Sequence, residues 1–263
     1  MEIKEYVAAR KDAIRQRLLG ATKIPSLAII QVGDNEASNA YVRGKLKDCA
    51  EVGLKATLLH LPDTISQAEL LSVITKCNLD PTIDAFLVQL PLPKAISEAA
   101  VNATIDPKKD IDGFSPFSPF ACCTPKGIID YLRDEGFPFR GANAVVLGRS
   151  QIVGRPMAKM LLAKDCNVTV LHSKTTPEDM RFYLKHADLV VVAIGKMGFL
   201  DASYELKPSA WVVDVGINRG EDGHLHGDCA PGLAVAKQTP VPGGVGLLTR
   251  LALLNNLMEV IDQ

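Results

Sequence analysis

The amino-acid sequence predicts an α/β protein of two lobes, each built on a parallel sheet. Three observations carry this. Short apolar runs of strand length alternate with amphipathic stretches of helix length, the pattern of βαβ units. The alternation breaks once, at Gly113–Phe120, a segment rich in Phe, Ser and Pro, and then restarts. The length of 263 residues suits one large domain or two small ones, at roughly 150 residues per domain.

In Met1–Gly20, Val7, Ile14 and Leu18 fall on one helical face. Ser26–Gln31 reads as an apolar strand and Glu36–Val52 as a helix. Ala56–Leu61 is a second strand, and Ser66 and Glu69 have capping-box spacing at the start of a helix over Ser66–Asn78. A third strand, Ala85–Gln89, stops at Leu90-Pro-Leu-Pro93, since proline supplies no ladder donor. Beyond the break, Thr124–Glu135 reads as a helix. Strands are expected at Ala144–Leu147, Val168–Leu171, Leu189–Ala193 and Trp211–Val215, and helices at Gly154–Lys164 and Glu178–Lys185. Leu247–Ile261 closes the chain as an apolar-striped helix. The expected domains are an N-terminal catalytic domain over 1–120, completed by the C-terminal helix at 247–263, and a Rossmann-like nucleotide domain over 121–246.

Composition excludes several classes of function. With 29 Lys and Arg against 30 Asp and Glu, the net charge is −1, so nothing draws the chain to nucleic acid or an anionic membrane. Aromatic residues make up 5% and Trp211 is the single tryptophan, which weakens a base-stacking reading. The longest apolar runs, such as Leu189–Gly195, fall far short of the about 20 residues that span a bilayer. Met1–Gly20 lacks the apolar core of a signal peptide. The six cysteines form no CxxC pair and are expected to be reduced thiols in the cytoplasm, without a metal.

Two constellations point to chemistry. In the second half, Val145-Val-Leu-Gly148-Arg149-Ser150-Gln-Ile-Val-Gly154 runs a buried strand into a glycine turn and a helix, whose N-terminal N–H groups suit a phosphate. The spacing is not GxGxxG: Ser150 stands at the middle glycine and the last glycine comes one residue late. A plain strand–turn–helix junction gives the same pattern. The following strand ends at His172-Ser173-Lys174 with no carboxylate. An NAD-preferring fold places Asp or Glu there, whereas Arg149 with a hydroxyl suits a 2′-phosphate. NADP is therefore expected over NAD. His172 and Lys174 individually read as solvated strand-end residues.

In the first half, Tyr41 and Lys45 lie four apart on one helix face. A partly buried lysine can act as a base, and a neighbouring phenol can orient a substrate. Tyr-x-x-x-Lys also occurs by chance. In short-chain dehydrogenases the nucleotide motif precedes the tyrosine; here it follows, which excludes that class. Gln89 ends a strand, where open α/β sheets place ligands, and its amide both donates and accepts. Asp110-Ile-Asp112-Gly113 lacks the later ligands of a calcium loop and reads as a fixed carboxylate facing N–H donors. Thr239-Pro-Val-Pro-Gly243-Gly244-Val-Gly246 lets backbone approach a ligand closely, or is a crossing turn. His224 and His226 lie in a Gly/Asp-rich hairpin without a third ligand nearby and read as surface residues.

Together these segments resemble the bifunctional methylenetetrahydrofolate dehydrogenase/methenyltetrahydrofolate cyclohydrolase family, of the FolD type. The matching motifs are Val32-Gly-Asp-Asn with Tyr41-x-x-x-Lys45, Val88-Gln-Leu-Pro-Leu-Pro93, Lys109-Asp-Ile-Asp-Gly-Phe114, Gly148-Arg-Ser-Gln-Ile-Val-Gly154, Val213-Asp-Val-Gly-Ile-Asn218 and Thr239-Pro-Val-Pro-Gly-Gly-Val-Gly246. They occur in family order. The resemblance implies NADP-dependent oxidation of 5,10-methylenetetrahydrofolate to the methenyl cation, then hydrolysis to 10-formyltetrahydrofolate. It assigns proton handling in the second step to Lys45, folate orientation to Tyr41, tuning of Lys45 to Gln89 and pterin anchoring to Asp112. It places Gly148, Arg149, Ser150, Ser173 and Ile217 on NADP, Gly243 and Gly244 near the folate, and implies a homodimer.

The chain departs from the family pattern at Ser115–Ala121, which replaces a longer segment, at Cys122-Cys-Thr-Pro125, at Gly246-Leu-Leu-Thr249 and after Gly195, where it is short. The competing readings are a monofunctional NADP-dependent dehydrogenase and a non-catalytic NADP- or folate-binding descendant. The joint presence of Tyr41, Lys45, Gln89 and Asp112 argues against the latter, since binding NADP needs none of them.

Overall fold

In the computed structural model, which describes residues 1–261, the chain forms two compact units. One comprises Ala8–Cys123 and the residues from Arg250 onward; the other comprises Met1–Val7 and Thr124–Thr249. The last two residues of the closing segment expected at 247–263 lie outside the described residues. Among the described residues no helix is long and apolar enough to cross a membrane.

The unit that begins at Ala8 is built on a parallel sheet of β1 (Ser26–Val32), β2 (Lys55–Leu61) and β3 (Ala85–Val88), in the order β2-β1-β3. β1 is central and buried from Leu27 through Val32, which is why Leu27–Ile30 reads as an unbroken apolar run. β2 lies at an edge and leaves Leu58 exposed, and its sequence is correspondingly mixed. Helix α1 (Ile3–Leu19) contributes Ile14 to the core, followed in the chain by α2 (Glu36–Val52) and α3 (Gln67–Leu79). α3 starts with the expected capping box: Ser66 Oγ accepts the Glu69 N–H, and the Glu69 carboxylate accepts the Ser66 N–H. Ala28, Ile30, Val32, Phe86 and Val88 pack with Leu70 and Ile74 of α3 and with Val101. Val101 belongs to α4 (Glu98–Thr104), a helix the sequence reading lacks because two turns are too few to display a period.

The other unit carries α5 (Cys123–Asp134), which begins at its boundary, then β4 (Asn143–Leu147), α6 (Gly154–Leu162), β5 (Asn167–Leu171), α7 (Pro177–His186), β6 (Leu189–Val192) and β7 (Trp211–Asp214). A hairpin of β8 (Asn218–Arg219) and β9 (Leu225–His226) follows, then β10 (Lys237–Gln238) and α8 (Val245–Glu259). The parallel sheet has the order β10-β7-β6-β4-β5. Alternate residues serve opposite faces: Ala144, Val146, Leu189 and Val191 meet Ile128, Leu132, Met157 and Leu161, while Val145, Leu147, Val190 and Val192 meet Leu184. The two-residue β10 is too short to have been read from alternation.

Both sheets therefore place their first strand inside, with the second on one side and the third on the other. Chain connections leave the carboxyl ends in opposite directions at such a point and open a crevice where α/β proteins bind ligands. In one sheet that point lies between β1 and β3, in the other between β4 and β6.

Candidate active site

At the carboxyl end of β1 the chain turns through Gly33, whose φ of +72° suits glycine. The Gly33 N–H donates to the Leu61 carbonyl at 2.9 Å and Gln31 Nε2 donates to the Gly33 carbonyl at 3.0 Å. Asn35 caps α2 by accepting the Ser38 N–H at 3.1 Å. On the third strand, Gln89 continues the ladder one rung past β3, its N–H donating to the Ile30 carbonyl at 2.8 Å. Ser38 Oγ donates to the Leu90 carbonyl at 3.3 Å, tying the start of α2 to this strand end.

These constraints bring Lys45 and Gln89 together. Lys45 is buried, and its Nζ donates to Gln89 Oε1 at 3.1 Å. Gln89 Nε2 donates to the Leu90 carbonyl at 2.8 Å, which fixes the amide with its oxygen toward the lysine. Tyr41 lies one helical turn before Lys45. Burial pushes its phenol up, and the smaller opposing pull comes from the Arg250 charge. Tyr41 is thus a neutral hydroxyl at ordinary pH, able to donate a hydrogen bond.

Asp112 follows a short 3₁₀ turn, Pro107–Lys109, and lies two residues beyond Asp110, which bridges beside Phe86 of β3. Asp110 is buried and accepts the Ser115 N–H at 2.7 Å. Burial, with a smaller contribution from the Asp112 charge, outweighs its hydrogen bonds and raises its carboxyl to about 6. Asp112 itself is half-buried. Asn256 Nδ2 of α8 donates to the Ile111 and Ala121 carbonyls at 3.0 Å each, fastening the same loop at both ends.

In the other unit the glycine turn is set by close backbone approach. Gly148 has φ +114°, and a Cβ on it would lie 2.3 Å from the Ala193 carbonyl oxygen. A Cβ on Gly154 would lie 2.3 Å from the Gly148 carbonyl oxygen, so the late glycine is the one that seats α6 on the turn. Ser150 Oγ accepts the N–H groups of Val153 at 3.2 Å and Gly154 at 3.3 Å, and its carbonyl accepts the Arg155 N–H at 3.0 Å. Ser150 therefore satisfies several N–H groups that the sequence reading assigned to a phosphate. Its own O–H and the exposed Arg149 guanidinium are left as donors.

Ser173 is exposed at the end of β5, in a turn held by the His172 N–H donating to Thr175 Oγ1 at 2.9 Å. A cavity of about 430 Å³ opens beside it, lined by Leu147, Leu171, Ile194, Phe199 and Tyr204 among others. Ile217 lies just beyond β7 and is 45% exposed. A cradle without room for a Cβ, an exposed cation and hydroxyls, and an apolar cavity at the carboxyl ends of β4 to β6 fit a dinucleotide carrying a 2′-phosphate.

Two residues here escaped the sequence reading. Asp214 and Asp228 are buried carboxylates at the ends of neighbouring loops. Asp228 accepts the Ile194 and Gly195 N–H groups at 2.8 and 2.9 Å and Asn218 Nδ2 at 2.9 Å. Asp214 accepts the Gly216, Asp228 and Cys229 N–H groups, each at 2.9 Å. A Cβ at Gly216 would strike Asp228, and one at Gly227 would strike Asp214. This reciprocal clasp fixes the loops on both sides of Ile217; Asp214, Gly216 and Asn218 stand in the Val213–Asn218 motif, but nothing in the sequence ties them to Gly227 and Asp228. Nearby, Gly243 has φ +92°, and a Cβ on Gly244 would lie 2.1 Å from the Pro240 carbonyl oxygen, so the loop entering α8 admits only small residues. Among the described residues no group of three or more His, Cys, Asp or Glu could hold a metal ion.

Comparison with known proteins gives one family for both halves. Residues 1–112 match the family model described as "Tetrahydrofolate dehydrogenase/cyclohydrolase, catalytic domain". Residues 122–263 match "Tetrahydrofolate dehydrogenase/cyclohydrolase, NAD(P)-binding domain". A curated relative, the bifunctional protein FolD of Campylobacter concisus (strain 13826), is 46% identical, over 97% of this chain and 92% of its own length. The crystal structure of the bifunctional FolD enzyme of Campylobacter jejuni superposes with a TM-score of 0.94 at 39% identity, covering 99% of this chain and 97% of that one. The Trypanosoma brucei enzyme, solved with NADP cofactor and inhibitor, superposes with a TM-score of 0.91 at 30% identity, covering 100% and 96%.

Proposed function

The chain belongs to the tetrahydrofolate dehydrogenase/cyclohydrolase family, and from that membership we propose how its residues divide the two reactions. It is a methylenetetrahydrofolate dehydrogenase and methenyltetrahydrofolate cyclohydrolase: 5,10-methylenetetrahydrofolate is oxidised to the 5,10-methenyl cation, which is hydrolysed to 10-formyltetrahydrofolate. NADP⁺, when bound, supplies the hydride acceptor for the first reaction. We assign its binding to Gly148, Arg149, Ser150, Ser173 and Ile217 within 121–246, with Arg149 and the hydroxyls on the 2′-phosphate. We assign the folate to 1–120 with the closing helix, with Gly243 and Gly244 near it.

The first reaction transfers no proton to the protein, so it asks the chain only for positioning. In the second, a water oxygen bonds to the bridge carbon and one water proton passes to Lys45; the carbon–N5 bond then breaks as the remaining hydroxyl proton leaves to solvent and the formyl C=O forms, N5 keeping the electron pair and taking the proton back from Lys45. The Lys45–Gln89 hydrogen bond of 3.1 Å is the observation that carries this reading. It directs a buried amine with a neutral acceptor, and hydrogen bonding through an uncharged amide does not lock the amine as an ammonium in the way a carboxylate does. Tyr41 orients the folate with its neutral phenol. Asp112 accepts the pterin's N–H donors, while Asp110 holds the loop beneath it.

We infer further that the protein acts in the cytoplasm as a homodimer. The deciding experiment follows absorbance with methylenetetrahydrofolate and either NADP⁺ or NAD⁺, then the decay of the methenyl product. Formation with NADP⁺ and enzyme-dependent decay support the reading. Formation without enzyme-dependent decay makes the enzyme monofunctional, and no formation overturns it.

A further inference from the structure

The face of α2 that carries Tyr41 and Lys45 also carries Asp48, a buried carboxylate one turn beyond the lysine. An i, i+3 carboxylate is well placed to capture a lysine ammonium. In this structure its oxygens are engaged elsewhere. Lys11 Nζ of α1 donates to Oδ1 at 2.5 Å, and Arg250 Nε of α8 lies 2.9 Å from Oδ2. The second contact is an ion pair rather than an aligned hydrogen bond. Arg250 reaches this position because residue 44 is glycine: a Cβ there would fall 1.9 Å from Nη1 of the guanidinium.

Other charged and titratable groups lie around this face. Glu51 of α2 is held by Lys11 at 2.6 Å and lies 3.7 Å from Lys47. The Cys49 thiol is pushed up to about 12, by burial first and then by the Asp48 charge, against opposing pulls from Lys45 and Lys11. Tyr41 feels the Arg250 charge. Lys45 makes its hydrogen bond to the neutral Gln89 amide from the end of β3.

We propose that Lys11 and Arg250 are positioning residues for the cyclohydrolase step: by occupying the two oxygens of Asp48 they prevent this carboxylate from capturing Lys45. The inference rests on the reading of Lys45 as the proton acceptor. A free carboxylate beside an amine favours the ammonium, which cannot take a proton from water. With Asp48 engaged on both sides, the lysine stays directed to Gln89. The dehydrogenase step, which needs no base, is indifferent to this arrangement.

The test uses the full-length enzyme carrying Arg250→Gln, with cyclohydrolase and dehydrogenase rates measured across pH. The acid limb of the cyclohydrolase profile should move up by about one pH unit, a roughly tenfold loss on that limb. Dehydrogenase kcat/KM should stay within about twofold, which also reports that the variant is folded. Adding Asp48→Asn should return the limb to its original place. Lys11→Met, which frees the other oxygen, should move it in the same direction and carries the test if Arg250→Gln does not fold. An unmoved limb, or a shift that Asp48→Asn does not reverse, overturns the proposal. Lys45→Met separates the premise: cyclohydrolase activity surviving in that variant refutes Lys45 as base, whatever the profiles show.

Discussion

Lys45 Nζ donates to Gln89 Oε1 at 3.1 Å, across 44 positions of sequence, because α2 and the end of β3 leave opposite sides of the same strand-order reversal. The contact joins a buried amine to a neutral acceptor, and under the proposed division of roles it serves the cyclohydrolase step alone. Lys45→Met should abolish cyclohydrolase turnover while leaving measurable dehydrogenase turnover. Parallel absorbance assays of the methenyl product's formation and decay check this, and loss of both activities in a folded variant would count against the division of roles.

Arg149 is the exposed guanidinium of the glycine turn, beside a Ser150 hydroxyl whose oxygen is already engaged by backbone N–H groups. If these read the 2′-phosphate, Arg149→Gln should raise KM for NADP⁺ by about tenfold or more, since charge-assisted contacts contribute about 1.5–3 kcal/mol. KM for NAD⁺, which lacks that phosphate, should change little. Initial-rate kinetics with both cofactors decide it; an equal change for both would place Arg149 elsewhere.

Much of the fold was legible because βαβ units repeat long patterns. Leu27–Ile30 of β1, Ala144–Leu147 of β4 and all of β6 are buried and read as unbroken apolar runs, and the Ser66–Glu69 box marks the start of α3. The short α4 and β10 were not legible, since seven and two residues display no period. At the site, Tyr41 and Lys45 share a helix face by spacing alone. Their relation to Gln89 depends on strand order, which a periodicity does not contain. The Asp48–Arg250 pair is less legible still: it joins α2 to α8 across some 200 positions and depends on a glycine that, in sequence, looks like a flaw in a helix.

Asp110 gives the fold a pH dependence of defined sign. Its carboxyl is raised to about 6, so the folded state binds its proton more tightly than the unfolded chain does. The associated stability is present below the unfolded value, about 4, and is lost as pH rises through about 6. Relative to Asp110→Asn, the native protein should lose about 2–3 kcal/mol of unfolding free energy between pH 4 and pH 7. Urea unfolding of both proteins at the two pH values measures it, and a difference independent of pH would refute the assignment.

All six cysteines are buried thiols, and burial pushes up those of Cys49, Cys77, Cys166 and Cys229. Thiolate is the reactive species. Iodoacetamide at pH 8 should therefore label none of the six quickly in the folded protein and all six in urea, as read by mass spectrometry. Rapid labelling of a single site under native conditions would show that its loop opens.

Glycines 44 and 154 both stand where a Cβ would collide, yet they should respond oppositely to alanine. At Gly154 the obstacle is backbone, the Gly148 carbonyl oxygen at 2.3 Å, so α6 must lift from the turn that carries Arg149 and Ser150. Gly154→Ala should weaken NADP⁺ binding and lower the melting temperature. At Gly44 the obstacle is the tip of Arg250, which can swing away, and α2 gains about 1 kcal/mol of helix propensity from the exchange. Gly44→Ala should thus melt no lower than the native protein and keep its dehydrogenase activity. Its displaced guanidinium should still give the upward shift of the cyclohydrolase acid limb expected for Arg250→Gln. Calorimetry and the two rate–pH profiles distinguish these outcomes. A Gly44→Ala enzyme with a native cyclohydrolase profile would mean that the guanidinium's place above residue 44 does not matter to Lys45.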